Sequence, residues 1–167
     1  MAAALLSGTG KASIIGVSPG DLLQAAIDTA SDGDVIEVES GVYIKNLVVD
    51  RAVTIRGLDT GGGKPVIDAG GAGSSITVSA DGAVIEGLVG TNSGTGPGDA
   101  GIRVTSANVS ITDSEIRSNG GSGICLERAS GSEISKNFIR QKRKHAISLA
   151  GGADNDNWAT ADTYNTL

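Results

Sequence analysis

The stretch SGICLERASGSEISKNFIRQ, residues 122–141, decides the fold because its pattern recurs along the chain. It consists of short β-branched segments divided by Ser and Gly, and AGIRVTSANVSITDSEIRSN at residues 100–119 has the same layout 22 residues upstream. The aliphatic pair that begins this pattern recurs at Ile102/Val104, Ile124/Leu126 and Ile147/Leu149. Segments too short to bury a face alone, when repeated at a near-constant interval, indicate a stacked repeat architecture.

Working outward, the aliphatic residues fall into three columns. The first column is predicted to be Val53/Ile55, Ile76/Val78, Ile102/Val104, Ile124/Leu126 and Ile147/Leu149, with spacings of 23, 26, 22 and 23. The start of this column has an alternative, because the segments IRGL at 55–58 and IEGL at 85–88 resemble each other at a spacing of 30. The second column is Ile85, Ile111 and Ile134, and the third is Ile116 and Ile139. Three strands in each turn of about 23 residues predict an all-β parallel β-helix of about five rungs, with aliphatic ladders inside.

The composition agrees with a single solenoid domain and narrows the function. The chain has 167 residues, of which 26 are Gly and only four are aromatic, so aliphatic side chains must fill the core. Its net charge is −6, which disfavours nucleic acid as a partner. The apolar start MAAALL is far too short to cross a bilayer, so no membrane span is expected. The single Cys125 cannot form an internal disulfide.

One helix is predicted, over residues 18–33. Asp21 is placed to cap it, Gln24 lies three residues later as in a capping box, and Gly33 is placed to end it. We expect this helix to lie across the first rung and cover its open edge, which would otherwise pair with another chain. The predicted organisation is an N-terminal segment at 1–17, a capping helix at 18–33 and a β-helix at 34–167.

The chain resembles the right-handed parallel β-helix superfamily. The resemblance is carried by LLQAAIDTASDGDVIEVESGVYIKNLVVDRAVTIRGLD at 22–59, by PVIDAGG at 65–71 and by rungs of the form GIxLxxSxxxxIxxNxI. It is similar in particular to the secreted and cell-surface branch that includes pectate-lyase-like proteins, NosD-type copper-accessory proteins and surface proteins of archaea and bacteria. That superfamily contains lyases, hydrolases and non-catalytic surface modules, so the resemblance implies a fold more than an activity.

Basic residues form the sharpest local feature of this acidic chain. Arg117 and Arg140 follow the third column at a spacing of 23, so we expect their side chains to stack in neighbouring rungs. The segment RQKRKH at 140–145 adds Lys142, Arg143, Lys144 and His145. A cleft for an anionic glycan is one interpretation. The other is a solvated turn, balanced by Glu115, Glu127 and Glu133.

The last predicted rung contains GGADNDNWATAD at residues 151–162. Asp154 and Asp156 supply oxygen ligands suited to calcium, and Trp158 is suited to stack on a sugar ring. Calcium is therefore a possible metal, although an ordinary polar insertion fits equally. Cys125 is predicted to be a solvent-facing or loop-covered residue rather than a nucleophile. It belongs to an outward column predicted as Thr54, Thr77, Arg103, Cys125 and Ser148.

These observations predict an extracellular or cell-surface module with a structural or recognition role, directed at a polysaccharide or cell-surface glycan and without catalysis. The acid trios of glycoside hydrolases and the carboxylate groups of calcium-dependent lyases are not evident. Two alternatives remain open. The chain is a polysaccharide lyase or hydrolase, or a fragment of one, or it assembles into oligomers or fibres through an uncapped C-terminal rung.

Overall fold

The computed structural model describes residues 10–141, 144–151 and 158–165, with side chains described for 10–140 and 144–151. All paired strands in this part of the chain run parallel, and they form two sheets. The five-stranded sheet consists of β4 (Leu47–Val49), β7 (Ile76–Val78), β10 (Ala100–Val104), β13 (Ser122–Glu127) and β15 (Ile147–Ala150).

The eleven-stranded sheet contains two ladders joined by two long strands. The first ladder is β1 (Ile14–Val17), β2 (Val35–Val38), β5 (Thr54–Gly57), β8 (Val84–Glu86) and β11 (Ser110–Thr112). The second ladder is β3 (Val42–Ile44), β6 (Val66–Asp68), β9 (Val89–Thr91) and β12 (Glu115–Arg117). The strands that continue both ladders are β14 (Glu133–Gln141) and β16 (Trp158–Asn165).

The inward side chains form the predicted aliphatic ladders. One column is Ile36, Ile55, Ile85, Ile111 and Ile134, and each of these side chains is fully buried. The second ladder has Tyr43, Ile67, Gly90, Ile116 and Ile139 in register, and the backbone of β16 adds a sixth level beside β14. The solenoid therefore has about six turns, one more than the spacing suggested. Each fully buried Ile contributes roughly 1.5–3 kcal/mol of transfer free energy.

The first column of the sequence prediction was wrong at its start. Ile76 pairs with Leu47, and Val78 pairs with Val49, whereas Ile55 pairs with Ile36 and Ile85. The insertion LDTGGGKP at 58–65 lengthens this rung, so a spacing of 23 from Val53 to Ile76 is a coincidence and the spacing of 30 is the real register.

The same register error affects the predicted outward column, which wrongly included Thr54. The residue under Thr77 is Val48, and Thr54 lies in the other sheet. At the opposite end, Leu149 keeps its register with Leu126 but is 53 % exposed, contrary to the expected inward position. No described strand pairs with β15 on its outer edge.

The helix α1 (Leu23–Thr29) is shorter than predicted, and its caps differ. Leu22 is the N-cap residue and has no side-chain acceptor for a cap hydrogen bond, and the Asp21 carboxylate accepts from the Ser18 N–H at 2.8 Å, outside the helix. The helix ends at Ala30, whose backbone is extended, so Gly33 lies beyond it. The predicted capping box is therefore absent.

Two devices cover the edges of the first rung. The Gln24 side chain donates to the Val48 carbonyl at 3.0 Å and accepts from the Val48 N–H at 2.9 Å, so its amide takes the place of a neighbouring strand. In the other sheet, β1 pairs with β2 and lies within the segment predicted as 1–17. The helix thus covers one edge as expected, but an additional strand covers another.

Candidate functional site

The loop at residues 92–99, NSGTGPGD, divides the candidate site into two clefts. It connects β9 to β10, and the buried Asn119 holds its first turn, since the side-chain oxygen of Asn119 accepts from the Ser93 N–H at 3.0 Å. The far end of the loop is closed by Asp99, whose carboxylate accepts from the Gly96 N–H at 2.9 Å. The loop is therefore fixed to the solenoid at both ends.

The next rung packs directly against this loop. A Cβ atom on Gly121 would lie 1.7 Å from the Asp99 carbonyl oxygen, so only glycine fits there. The same carbonyl accepts from the Ser122 N–H at 3.1 Å. Glycine at this position thus allows the loop to approach the beginning of β13.

The first cleft, here called the Lys144 cleft, lies on the outer face of the five-stranded sheet beside the loop. Its volume is about 380 Å³. Its polar side chains are Asp99, Arg103, Ser122, Cys125, Glu127, Lys144, His145 and Ser148. Register brings Arg103, Cys125 and Ser148 into one outward column, as predicted.

Charges in the Lys144 cleft are largely balanced. Arg103 forms an ion pair and a hydrogen bond with Glu127. The hydrogen bond and the charge of Arg103 lower the pKa of Glu127 below its ordinary value, so this group is a carboxylate at neutral pH. Lys144 donates through Nζ to the carbonyl oxygens of Thr95 and Gly96, each at 3.4 Å, which places its charge at the loop.

Cys125 lies in the wall of this cleft and is 4 % exposed. Burial raises the pKa of its thiol, and the charge of Glu127 raises it further, while Arg103 and Lys144 act in the opposite sense. A protonated, buried thiol is a poor nucleophile. The structure thus makes Cys125 a buried residue of the cleft wall, so it is not the solvent-facing residue that was one of the two expectations from sequence.

The second cleft, here called the Arg140 cleft, lies on the other side of the loop. Its volume is also about 380 Å³, and its lining consists of Asn92, Ser93, Thr95, Ser118, Asn119, Gly120 and Arg140. Arg140 is the only charged residue in this lining. Hydroxyl and amide groups form the remaining polar surface.

The predicted stack of Arg117 and Arg140 is confirmed. The two residues are direct register partners in β12 and β14. The Arg117 Nε lies 2.9 Å from a Glu115 carboxylate oxygen, so Arg117 has a counter-charge within its own strand. Glu115 thus balances Arg117, as the solvated-turn interpretation anticipated, whereas Glu127 pairs with Arg103, which lies outside the basic segment.

The remaining predicted site residues fall into different places. Lys144 and His145 share the Lys144 cleft, whereas Arg140 lines the other one, so the loop separates residues that are close in sequence. Trp158 begins β16 and is in register with Glu133, at the opposite end of the strand pairing from Arg140. Lys142, Arg143, Asp154 and Asp156 lie outside the described residues.

Sequence reasoning missed the loop and the Arg103–Glu127 pair. Arg103 and Glu127 are 24 residues apart, close to one rung, and this spacing was the available signal. The loop had a weaker signal, because NSGTGPGD looks like any of the glycine-rich turns in the chain. Within the described ranges, no group of three or more His, Cys, Asp and Glu side chains is arranged to hold a metal ion, and no helix is both long and apolar enough to cross a membrane.

Comparison with known proteins identifies the family. A sequence model described as the right-handed β-helix region matches residues 41–158, which is most of the chain. The protein therefore belongs to the right-handed β-helix family, and its solenoid is right-handed. A search of curated proteins finds no match.

Two solved structures are similar to this chain. The first is an alginate lyase from Paenibacillus sp. str. FPU-7, with a TM-score of 0.68 and 23 % identity over 78 % of this chain and 45 % of the lyase. The second is the PL6 family alginate lyase AlyGC, with a TM-score of 0.48 and 22 % identity over 84 % of this chain and 20 % of the lyase. The chain thus spans less than half the length of either lyase.

Proposed function

We propose that this β-helix is a recognition module that binds an acidic polysaccharide in the Lys144 cleft, outside the cell or at its surface, without cleaving it. The proposal rests on one observation: Lys144, His145 and Arg103 line the same open cleft on the outer face of the five-stranded sheet. An elongated polymer can lie along such a face, since successive rungs repeat about every 4.8 Å.

The charge distribution supports an acidic ligand. Lys144 contacts two loop carbonyls at 3.4 Å and has no carboxylate within ion-pairing distance among the described residues. It therefore remains available to a ligand anion. The acidic surface elsewhere on the chain, with a net charge of −6, would repel a polyanion and confine its binding to this region.

The titratable groups support binding without cleavage. Glu127 is held as a carboxylate by Arg103, so it is a poor general acid at neutral pH. Burial keeps Cys125 protonated, which removes it as a nucleophile. A lyase needs a base, and Lys144 and His145 are the candidates for that role in this cleft. Formation of unsaturated chain ends would therefore contradict the non-catalytic function.

The test uses alginate, polygalacturonate and neutral amylose, each with calcium or with a chelator. Binding is measured by calorimetry at low and at moderate salt, and unsaturated and reducing ends are assayed in the same samples. We expect salt-sensitive binding of the two acidic polymers, no binding of amylose and no products. Because both acidic polymers bind calcium themselves, calcium dependence would indicate that the predicted metal ligands Asp154 and Asp156 take part only if Asp154→Asn with Asp156→Asn removes it.

Two variants locate the binding. Lys144→Met should weaken binding of acidic polymer about threefold to tenfold, because one direct charge contact is lost. Lys11→Met is the matched control, since Lys11 is an exposed lysine outside both cleft linings. New chain ends would overturn the non-catalytic role, and an equal effect of both variants would place binding elsewhere.

A further inference from the structure

The Arg140 cleft has features of a second binding site. Arg117 and Arg140 are register partners in neighbouring strands, which are about 4.8 Å apart. Like charges directly opposite one another are unfavourable unless a negative group lies near them. Glu115 neutralises Arg117, at 2.9 Å, but the Arg140 guanidinium has no carboxylate within 4.0 Å among the described side chains.

Four of the five other described arginines differ from Arg140 in this respect, whereas Arg128, which lines neither cleft, also has no carboxylate within 4.0 Å among the described side chains. Arg51, Arg56 and Arg103 each lie within 4.0 Å of at least one described carboxylate. Arg56 lies between two, Glu37 and Glu86, in the neighbouring rungs of its ladder. Arg56 and Arg103 are thus paired across rungs, whereas Arg140 has no such partner among the described side chains.

The lining of the Arg140 cleft indicates what the missing partner is. The polar groups around Arg140 are the neutral side chains of Asn92, Ser93, Thr95, Ser118 and Asn119. Asn92 and Ser118 are exposed. The Asn92 amide nitrogen donates to the Asp68 carboxylate at 2.8 Å, and its oxygen and second N–H, like the Ser118 hydroxyl, are groups suited to bind sugar hydroxyls. One cation among hydroxyl and amide groups matches a ligand that has one anionic group and several hydroxyls, rather than a dense polyanion.

The size of the cleft agrees with such a ligand. A volume of about 380 Å³ is near the lower end of the roughly 300–1,000 Å³ that small-molecule pockets occupy. An arginine guanidinium binds a carboxylate or sulfate through two parallel hydrogen bonds, which fixes the orientation of the ligand.

We propose that the Arg140 cleft binds a single acidic sugar residue, with its carboxylate or sulfate on Arg140 and its hydroxyls on Asn92, Ser118 and Thr95. This inference deepens the proposed function and rests on it for the class of ligand, but it assigns a different cleft, on the opposite side of the 92–99 loop. Arg140 selects for the charge, and the neutral lining selects for a sugar.

The experiment measures binding of short ligands by calorimetry and by NMR titration. The ligands are trigalacturonate, its fully methyl-esterified form, glucose 6-sulfate and inorganic sulfate. We expect trigalacturonate to bind at least about tenfold more tightly than its uncharged ester, because a charge-assisted contact is lost in the ester. The relative affinities of trigalacturonate and glucose 6-sulfate distinguish a carboxylate ligand from a sulfate ligand. Equal affinity for inorganic sulfate and the acidic sugars would overturn the role of the neutral lining.

Three variants test the role of Arg140. Arg140→Gln should reduce trigalacturonate affinity about tenfold, to the level of the ester, and Arg140→Lys should restore part of the loss because the charge returns without the paired geometry. Arg56→Gln removes an equal charge from the same sheet outside the cleft and should leave the affinity unchanged. Arg140 is exposed, so these variants should fold, which circular dichroism checks. Unchanged affinity in Arg140→Gln, or an equal loss in Arg56→Gln, would overturn the proposal.

Lys144→Met separates this inference from the proposed function. If the variant loses polymer binding but keeps trigalacturonate binding, both proposals stand. If trigalacturonate binding depends on Lys144 and not on Arg140, the Arg140 subsite is wrong and the Lys144 cleft stands. If trigalacturonate depends on Arg140 while no polymer binds at Lys144, the proposed function is wrong and the Arg140 subsite stands.

Discussion

The two clefts beside the 92–99 loop have the same volume, about 380 Å³, but different arrangements of charged side chains. The Lys144 cleft contains an Arg103–Glu127 ion pair and a lysine bonded to loop carbonyls. The Arg140 cleft contains one arginine among neutral groups. Both clefts use the loop as a wall, and the charged side chains that distinguish them come from strands at Arg103, Glu127 and Arg140 and from Lys144, which precedes β15. The regular backbone therefore supplies positions, and a few charged side chains differ between the two clefts.

Displacement of the 92–99 loop, which forms a wall of both clefts, should have the largest effect on stability and on binding. Gly121→Ala would put a Cβ atom 1.7 Å from the Asp99 carbonyl oxygen, so the backbone of the loop or of β13 must move. We expect a loss of about 4 kcal/mol or more in the free energy of unfolding, measured by chemical denaturation, and loss of binding at both clefts.

Gly16→Ala is the matched control for this substitution. Gly16 is exposed in β1, and an added Cβ atom would meet nothing within 4 Å. Its effect should stay within about 0.5 kcal/mol. A mild effect of Gly121→Ala would show that the loop adapts and that its position does not define the clefts.

A smaller and one-sided effect is expected from Asn119→Ala. The Asn119 side chain accepts from the Ser93 N–H at 3.0 Å and donates to the Gly90 carbonyl at 3.1 Å, so the substitution leaves two buried backbone groups without these partners. We expect a loss of about 2–3 kcal/mol in unfolding free energy and weaker trigalacturonate binding in the Arg140 cleft.

Asn137→Ala separates stability from binding. Asn137, in β14, makes the equivalent pair of hydrogen bonds: its side chain accepts from the Ser114 N–H at 2.9 Å and donates to the Ile111 carbonyl at 2.7 Å. Unlike Asn119, it lines neither cleft. The two variants should be similarly destabilised, and only Asn119→Ala should weaken trigalacturonate binding. Equal binding in both would contradict the role of Asn119 in shaping the cleft.

The smallest effect concerns the Lys144 cleft and depends on pH. Arg103 lowers the folded-state pKa of Glu127, so this carboxylate stabilises the fold above its ordinary pKa and the stabilisation is lost as the pH falls through the lowered value. Glu127→Gln should therefore cost stability at pH 7, and the difference from the parent protein should vanish in acid. A difference that stays constant with pH would contradict this origin.

The same variant sharpens the electrostatic comparison. Without the Glu127 charge, Arg103 resembles Arg140 as a cation without a carboxylate partner. Glu127→Gln should therefore tighten alginate binding at pH 7 about twofold to threefold, as measured by calorimetry. Weaker binding would show that the pair itself positions the ligand.

The interior was largely predictable, but its register was not. The Ile102/Val104 and Ile124/Leu126 pairs align as their spacing predicted, because an inward aliphatic ladder leaves a period-two pattern that any reader of the sequence can find. The predicted register of the first rung was wrong because the loop at 58–65 lengthens that rung. The spacing of 23 residues from Val53 to Ile76 matched the repeat period by chance. The interval between two repeats counts every residue between them. It therefore includes loop residues, which do not take part in the strand register.

The basic residues illustrate the same limit. The sequence predicted that Arg117 and Arg140 stack, since both follow inward residues of the same ladder. It grouped Arg140 with Lys144 and His145 because they are neighbours in the chain, whereas the structure places the loop at 92–99 between them. That loop is about 45 residues upstream, and its position depends on contacts with Asn119 and Gly121 that no local pattern reveals.

The sequence by itself determined the parallel solenoid, its aliphatic interior and the outward stacking of Arg117 on Arg140. These features follow from alternation within a strand and repetition between rungs, which are local properties of the chain. The tertiary structure alone decided that Gln24 covers the edge of β4, that Glu127 pairs with Arg103, and that one loop separates two clefts. Those outcomes depend on distances between residues far apart in the chain, which hydrogen bonding and packing fix only when the rungs have stacked.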